Sequence, residues 1–118
     1  MIYLATPYTH ASAAVMQDRY ELALQCTYWM TITQPEPVYS PIVHYHNIAV
    51  KHDLPRDAEW WKQTNLTHLR ACRALAVLVC AGTKESKGCF EEYEFAQYLM
   101  MPVQFVNIRG EEVSCPWH

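Results

Sequence analysis

Residues 85–101, "ESKGCFEEYEFAQYLMM", place Glu91, Glu92 and Glu94 within four positions of a segment whose apolar residues recur at helical spacing. At the helical period, Gly88, Cys89, Phe95, Ala96 and Leu99 lie within about 60° of Glu92, whereas Glu94 points about 160° away and Glu91 sits on the flank. Glu91 and Glu94 therefore read as solvent acids, and Glu92 lies in the middle of the apolar stripe. A carboxylate on a buried face is costly unless it is paired, protonated or at the edge of a cavity. Either a structural hydrogen bond or salt bridge satisfies Glu92 there, or it is a reactive group.

Other residues of chemical interest surround this one. Ser86 and Gly88 stand where a loop enters the Glu92 helix, and a helix start offers free N–H groups to an anion. Ser86 is equally an N-cap, without the glutamate or glutamine of a capping box because Cys89 occupies that position. Glu92 follows Ser86 by about 9 Å of helix axis. Arg19 lies between Val15, Leu22 and Cys26 on the apolar stripe of an earlier helix. It snorkels, pairs with an acid such as Glu92, or points its planar fork at a phosphate. His44 and His46 alternate in "HYH", so an extended segment would turn both to one side. Without a third ligand they read as polar lining of a pocket mouth rather than as a metal site. Trp60 and Trp61 suit either core packing or stacking on a base.

The elements that must position these residues follow from the rest of the chain. Its 118 residues make one domain, 1–118, with 51% hydrophobic and 13% aromatic residues. The net charge of -3 leaves no basic footprint for duplex nucleic acid, while a free nucleotide needs only local donors. The five cysteines form no paired spacing, and no stretch reads as a signal peptide or a membrane span, so the expected setting is reduced and cytoplasmic, with no membrane partner. "MIYLA" reads as a strand, residues 12–33 as a helix, "VYSPIV" as a second strand, "LPRDAEWWKQTNLTHLRAC" as a helix and "ALAVLVCAG" as a buried strand. After the Glu92 helix, "PVQFVNIRGEEVSCPWH" reads as a strand, a turn at Arg109-Gly110 and a short returning strand. Strand and helix alternate, which implies a parallel sheet covered on both faces. Ligands of such sheets bind beyond the carboxyl ends of the strands, here "ATPYTH", "SPIVHYH" and "AGTKESKG". Ala5, Pro7, Tyr8, His44 and His46 are the candidate substrate contacts in the first two.

"IYLATPY", "SPIVHYH", and "LAVL" followed by "SKGCFEEYEFA" together resemble the nucleoside 2-deoxyribosyltransferase-like superfamily, which includes 2'-deoxynucleoside 5'-monophosphate N-glycosidases. Closest in layout is a small phage and bacterial subfamily, and the likeness runs from Ile2 to about Val106. The resemblance implies a flavodoxin-like or Rossmann-like three-layer α/β sandwich with a mostly parallel sheet of about five strands. It implies cleavage or transfer at an N-glycosidic bond, without cofactor or metal, and assembly as a homodimer or higher homo-oligomer. By the same resemblance Glu92 is the nucleophile, Tyr3 orients it, and Ser86, Gly88 and Arg19 hold the phosphate of a nucleoside monophosphate. Ser86 is an aspartate in the nucleoside transferases; a hydroxyl donates to a phosphate that a carboxylate would repel. The chain departs from the pattern at Asn65, where relatives carry the aspartate that protonates or binds the leaving base, and at Arg73, which stands where the family has a second aspartate next to the strand. Asn65 can hydrogen-bond a base but cannot protonate it. Two expectations therefore stand side by side: an enzyme acting on a nucleoside or nucleoside monophosphate, and a nucleotide-binding module, a sensor or sponge, that kept the pocket and lost turnover.

Overall fold

The computed structural model describes residues 1–117. Its elements are β1 (Ile2–Ala5), α1 (Ala13–Thr33), β2 (Val38–Tyr39), α2 (Pro41–Lys51), α3 (Ala58–Arg70), β3 (Ala74–Leu78), α4 (Lys87–Tyr98) and β4 (Val103–Val106). The strands form one parallel sheet in the order β2-β1-β3-β4.

Every residue of β1 and β3 is apolar and buried. Alternate side chains of a strand leave on opposite faces, so such a run needs cover on both sides. On one face, Tyr3, Ala5, Leu75 and Val77 meet Leu69 of α3 and Cys89, Tyr93 and Ala96 of α4. On the other, Ile2, Leu4, Ala74, Ala76 and Leu78 meet Cys26 and Met30 of α1. The result is a three-layer α/β sandwich of the flavodoxin or Rossmann-like kind. The helix that follows β1 and the helix that follows β3 lie on opposite faces. Loops leaving these two adjacent strands therefore diverge, and a crevice opens at their carboxyl ends.

Each helix starts at a polar cap. The side chains of Ser12, Ser40, Asp57 and Ser86 accept from the backbone N–H groups of Val15, Val43, Trp60 and Cys89. The second of these corrects the sequence expectation. "VYSPIV" is not a continuous strand: pairing stops at Tyr39, and Ser40 caps a helix whose first residue is Pro41. Proline is pre-organised for that position because its missing N–H would have no helical partner there. The sheet has four strands rather than about five, and the returning strand reduces to a single antiparallel bridge between Val106 and Glu112. Asn107 closes the intervening turn by accepting from Arg109 N–H (2.9 Å) and Glu111 N–H (3.0 Å). Gly110 takes the left-handed φ of 77° that the turn requires. Among the described residues no helix is long and apolar enough to cross a membrane.

Candidate active site

A cleft of about 510 Å³ lies at the carboxyl ends of β1, β2 and β3. Its walls come from the loop after β1 (Thr6, Tyr8, Thr9, His10), from Arg19 of α1, from α2, from the start of α3, and from residues 82–92.

Glu92 sits at the floor. It is 7% exposed, on the buried face of α4 with Cys89, Tyr93 and Ala96. The hydroxyl of Tyr3, on the middle of the sheet, donates to its Oε2. Burial pushes the Glu92 carboxyl up to about 7; the Tyr3 hydrogen bond works against that rise and the neighbouring Glu91 adds to it. Tyr3 is held well above the ordinary phenol range by burial and by the adjacent Glu92 charge, so it remains a donor. The other two glutamates behave as the helix period requires. Glu91 faces Lys62 and Lys87, each at 3.8 Å, and Glu94 is exposed.

Ser86 caps α4 through its oxygen, which accepts from Cys89 N–H at 3.1 Å. The cap uses a lone pair of the hydroxyl, Ser86 lines the cleft, and the same hydroxyl lies within hydrogen-bonding reach of the Cys89 thiol. Gly88 also lines the cleft, and a Cβ there would meet only the methyl of Ala58 at 3.6 Å, an ordinary contact. Arg19 does not pair with Glu92. Its Nη1 donates to the carbonyl of Thr9 at 2.9 Å and lies 3.5 Å from that of Tyr8. Among the described residues no carboxylate forms an ion pair with it. Gly82 makes room for this arrangement: its φ is 95°, and a Cβ would come within 2.5 Å of Arg19 Nη2. Arg19 thus presents charge to the cleft while being positioned by backbone carbonyls.

Asn65 reaches the cleft from α3, and its Oδ1 is buried with no hydrogen-bond partner among the described residues; the same holds for Thr6 Oγ1. A polar atom buried without a partner costs about 1–3 kcal/mol, and the cleft carries two such atoms, one on α3 and one on the loop after β1. Arg73 is elsewhere. Its Nε donates to both carboxylate oxygens of Glu36 at 2.9 Å, and it does not line the cleft.

Several expected contacts are redistributed. Because α2 is a helix, His44 and His46 are about 200° apart rather than on one side. His46 is 4% exposed and on the cleft wall. His44 is not; its ring packs edge-on against Tyr45 at 4.5 Å. Ala5 and Pro7 are fully buried and do not line the cleft, since β1 runs through the centre of the sheet. Tyr8 does line it. Trp61 lines the cleft with its Nε1–H anchored on the Pro55 carbonyl at 2.7 Å, while Trp60 is half exposed. Arg56 and Gln17 were not singled out by sequence. Arg56 sits in what reads only as a helix opening, and its Nη1 donates to the Ala49 carbonyl at 3.1 Å. Gln17 becomes visible only through its contact with His46, 2.9 Å from Oε1 to Nε2. The described residues contain no group of three or more His, Cys, Asp or Glu placed to hold a metal ion.

The DUF1937 family model, a domain of unknown function, matches residues 1–108 of this chain. No curated protein matches it.

Proposed function

We propose that the chain, which belongs to the DUF1937 family, cleaves the N-glycosidic bond of a nucleotide, with Glu92 as nucleophile and a 2'-deoxynucleoside 5'-monophosphate as substrate. The observation that carries this reading is the state of Glu92. It is buried, has Tyr3 as its one hydrogen-bond partner among the described residues, and opens on the cleft. A carboxylate kept only for stability would be expected to have a cation or several donors, since burial disfavours its charge. One placed beside a reacting sugar carbon instead gains a positive partner in the transition state, which is oxocarbenium-like.

The surroundings suit a sugar phosphate. Ser86, the N-terminus of α4 and the Arg19 guanidinium supply donors at one end of the cleft, about 9 Å along the helix axis from Glu92. Asn65 and Trp61 offer an amide and a ring face to a base. The resemblance of "SKGCFEEYEFA" and "IYLATPY" to the nucleoside 2-deoxyribosyltransferase-like superfamily supports the same roles. In the proposed reaction the Glu92 carboxylate attacks the anomeric carbon, the base leaves with the electrons of the broken C–N bond, and water or a second base then takes the sugar from Glu92. Leu24, Tyr28 and Ile32, exposed on successive turns of α1, are apolar surface suited to the homo-oligomer that the resemblance implies.

Asn65 favours a second reading. An amide cannot protonate a leaving base, so the same cleft would serve a binding module without turnover. Incubation of concentrated protein with a panel of nucleosides and nucleoside monophosphates, followed by chromatography for free base, separates the two. Base released by the wild type and not by Glu92→Ala supports the enzyme. Thermal stabilisation by a monophosphate with no base released supports the binder and removes the catalytic reading.

A further inference from the structure

Tyr8 and His46 line the cleft and begin a chain of side chains that runs outward to the exposed Gln17 and Glu21 of α1, and to which the reaction above assigns no role. Glu21 accepts from Gln17 Nε2 (3.2 Å), Gln17 Oε1 faces His46 Nε2 (2.9 Å), and His46 Nδ1 faces the hydroxyl of Tyr8 (2.7 Å). The direction of every bond in this chain follows from one fixed point. A carboxylate oxygen accepts, so the amide of Gln17 turns its NH₂ toward Glu21 and its oxygen toward His46. His46 must then carry its proton on Nε2, which leaves Nδ1 as a lone pair. Tyr8 therefore donates to Nδ1 and turns acceptor lone pairs into the cleft. Tyr20 stacks on the imidazole at 4.3 Å and holds its plane.

We propose that Tyr8 is the general base of the hydrolytic half-reaction, and that His46, positioned by Gln17, receives the proton through it. The proposal rests on the reading of Glu92 as nucleophile. In the glycosyl–Glu92 ester, the oxygen of a water molecule attacks the anomeric carbon. One water proton passes to Tyr8 Oη while the Tyr8 proton passes to His46 Nδ1. The bond from the anomeric carbon to the Glu92 oxygen breaks, and its electron pair restores the carboxylate. The imidazolium returns its proton through Tyr8 to the base that left as an anion. The sum is nucleotide plus water giving free base and sugar phosphate.

Burial holds the Tyr8 phenol above its ordinary range, so it does not hold an anionic charge by itself but passes the proton on. Burial, assisted by Arg56 and opposed by Glu21, holds the His46 imidazole below 6.5, so it is neutral and able to accept near pH 7. The groups facing His46 are Gln17, Tyr20 and Glu21 from α1, Tyr8 from the β1 loop and Arg56 from the connection before α3. Glu92 is esterified during this half-reaction and does not titrate. Its acid limb therefore lies below 6.5, whereas base release, which needs ionised Glu92, has its limb near 7.

The test is rapid-quench kinetics on wild type and Tyr8→Phe, with intact-protein mass measured in parallel. Phenylalanine keeps the edge contact with His46. The expected result is a burst of one base per site, a deoxyribosyl phosphate adduct, and steady-state hydrolysis lower by about 10²- to 10⁴-fold. Azide, which needs no proton removed, should restore turnover of the adduct. Unchanged hydrolysis in Tyr8→Phe, with base release by the wild type intact, overturns the relay and leaves the Glu92 reading standing. No base release by the wild type overturns both. Nitrogen-15 NMR of free His46 is an independent check: an Nε2–H tautomer is expected, and an Nδ1–H tautomer overturns the relay whatever the kinetics show.

Discussion

Replacing Glu92 by glutamine should make the protein more stable, and by an amount that depends on pH in a defined way. The carboxyl has an ordinary value of 4.5 and is pushed by burial to about 7 in the fold. Between these values the folded chain holds a proton that the unfolded chain has released. Folding stability therefore falls as pH rises through this window, and the loss levels off above pH 7. At about 1.4 kcal/mol per pH unit, the interval from 4.5 to 7 amounts to about 3 kcal/mol. For a domain of this size that corresponds to roughly 10 °C in Tm. Glutamine has nearly the same volume, still accepts from the Tyr3 hydroxyl and does not titrate. The assay is urea denaturation of both proteins from pH 4 to pH 8.5, with the difference in unfolding free energy plotted so that other titrations cancel. The curves should nearly meet at pH 4 and separate by about 3 kcal/mol at pH 8. A flat difference, or a wild type that gains on the variant as pH rises, would show that the fold favours the ionised carboxylate. The argument from burial would then fail. Loss of base release in the more stable variant is the trade expected of a strained functional group.

Tyr3→Phe removes the hydrogen bond that opposes the rise of the Glu92 carboxyl, so the acid limb of base release should move to higher pH, read from the pH profile of the burst phase. Gly82→Ala forces a side chain onto a φ of 95° and into the Arg19 guanidinium. It should cost more than about 1 kcal/mol by urea denaturation and weaken calorimetric binding of a monophosphate more than of its nucleoside. Asn65→Asp adds a group able to protonate the leaving base and should raise base release by up to about 10²- to 10⁴-fold in a product assay. No gain in the folded variant would show that the base departs without protonation at that position.

Much of the frame was legible because it rests on local periodicity. Continuous apolar runs at residues 2–5 and 74–78 and their alternation with helical stretches were enough to indicate a parallel sheet covered on both faces. The 3.6-residue period alone separated Glu92 from Glu91 and Glu94, because burial on α4 follows its apolar stripe. Ser86 as a cap was equally readable, since capping is settled within one turn.

The rest depended on contacts between residues distant in the chain. The segment "VYSPIV" reads as a second short strand. After Ser40 it is helical because Pro41 suits a first turn and because Tyr45 and His46 pack against α3 and α1. That change of element separated His44 from the cleft and kept His46 in it. The direction of Arg19 was open in sequence and was decided by the bare backbone of Gly82, 63 positions away. Tyr8, Gln17 and His46 come from a loop and two helices, and no spacing rule relates them. Sequence determined which residues face the core, because that is a matter of period. The tertiary structure decided which polar groups meet there and how burial shifts their protons, because both depend on what the other elements place alongside them.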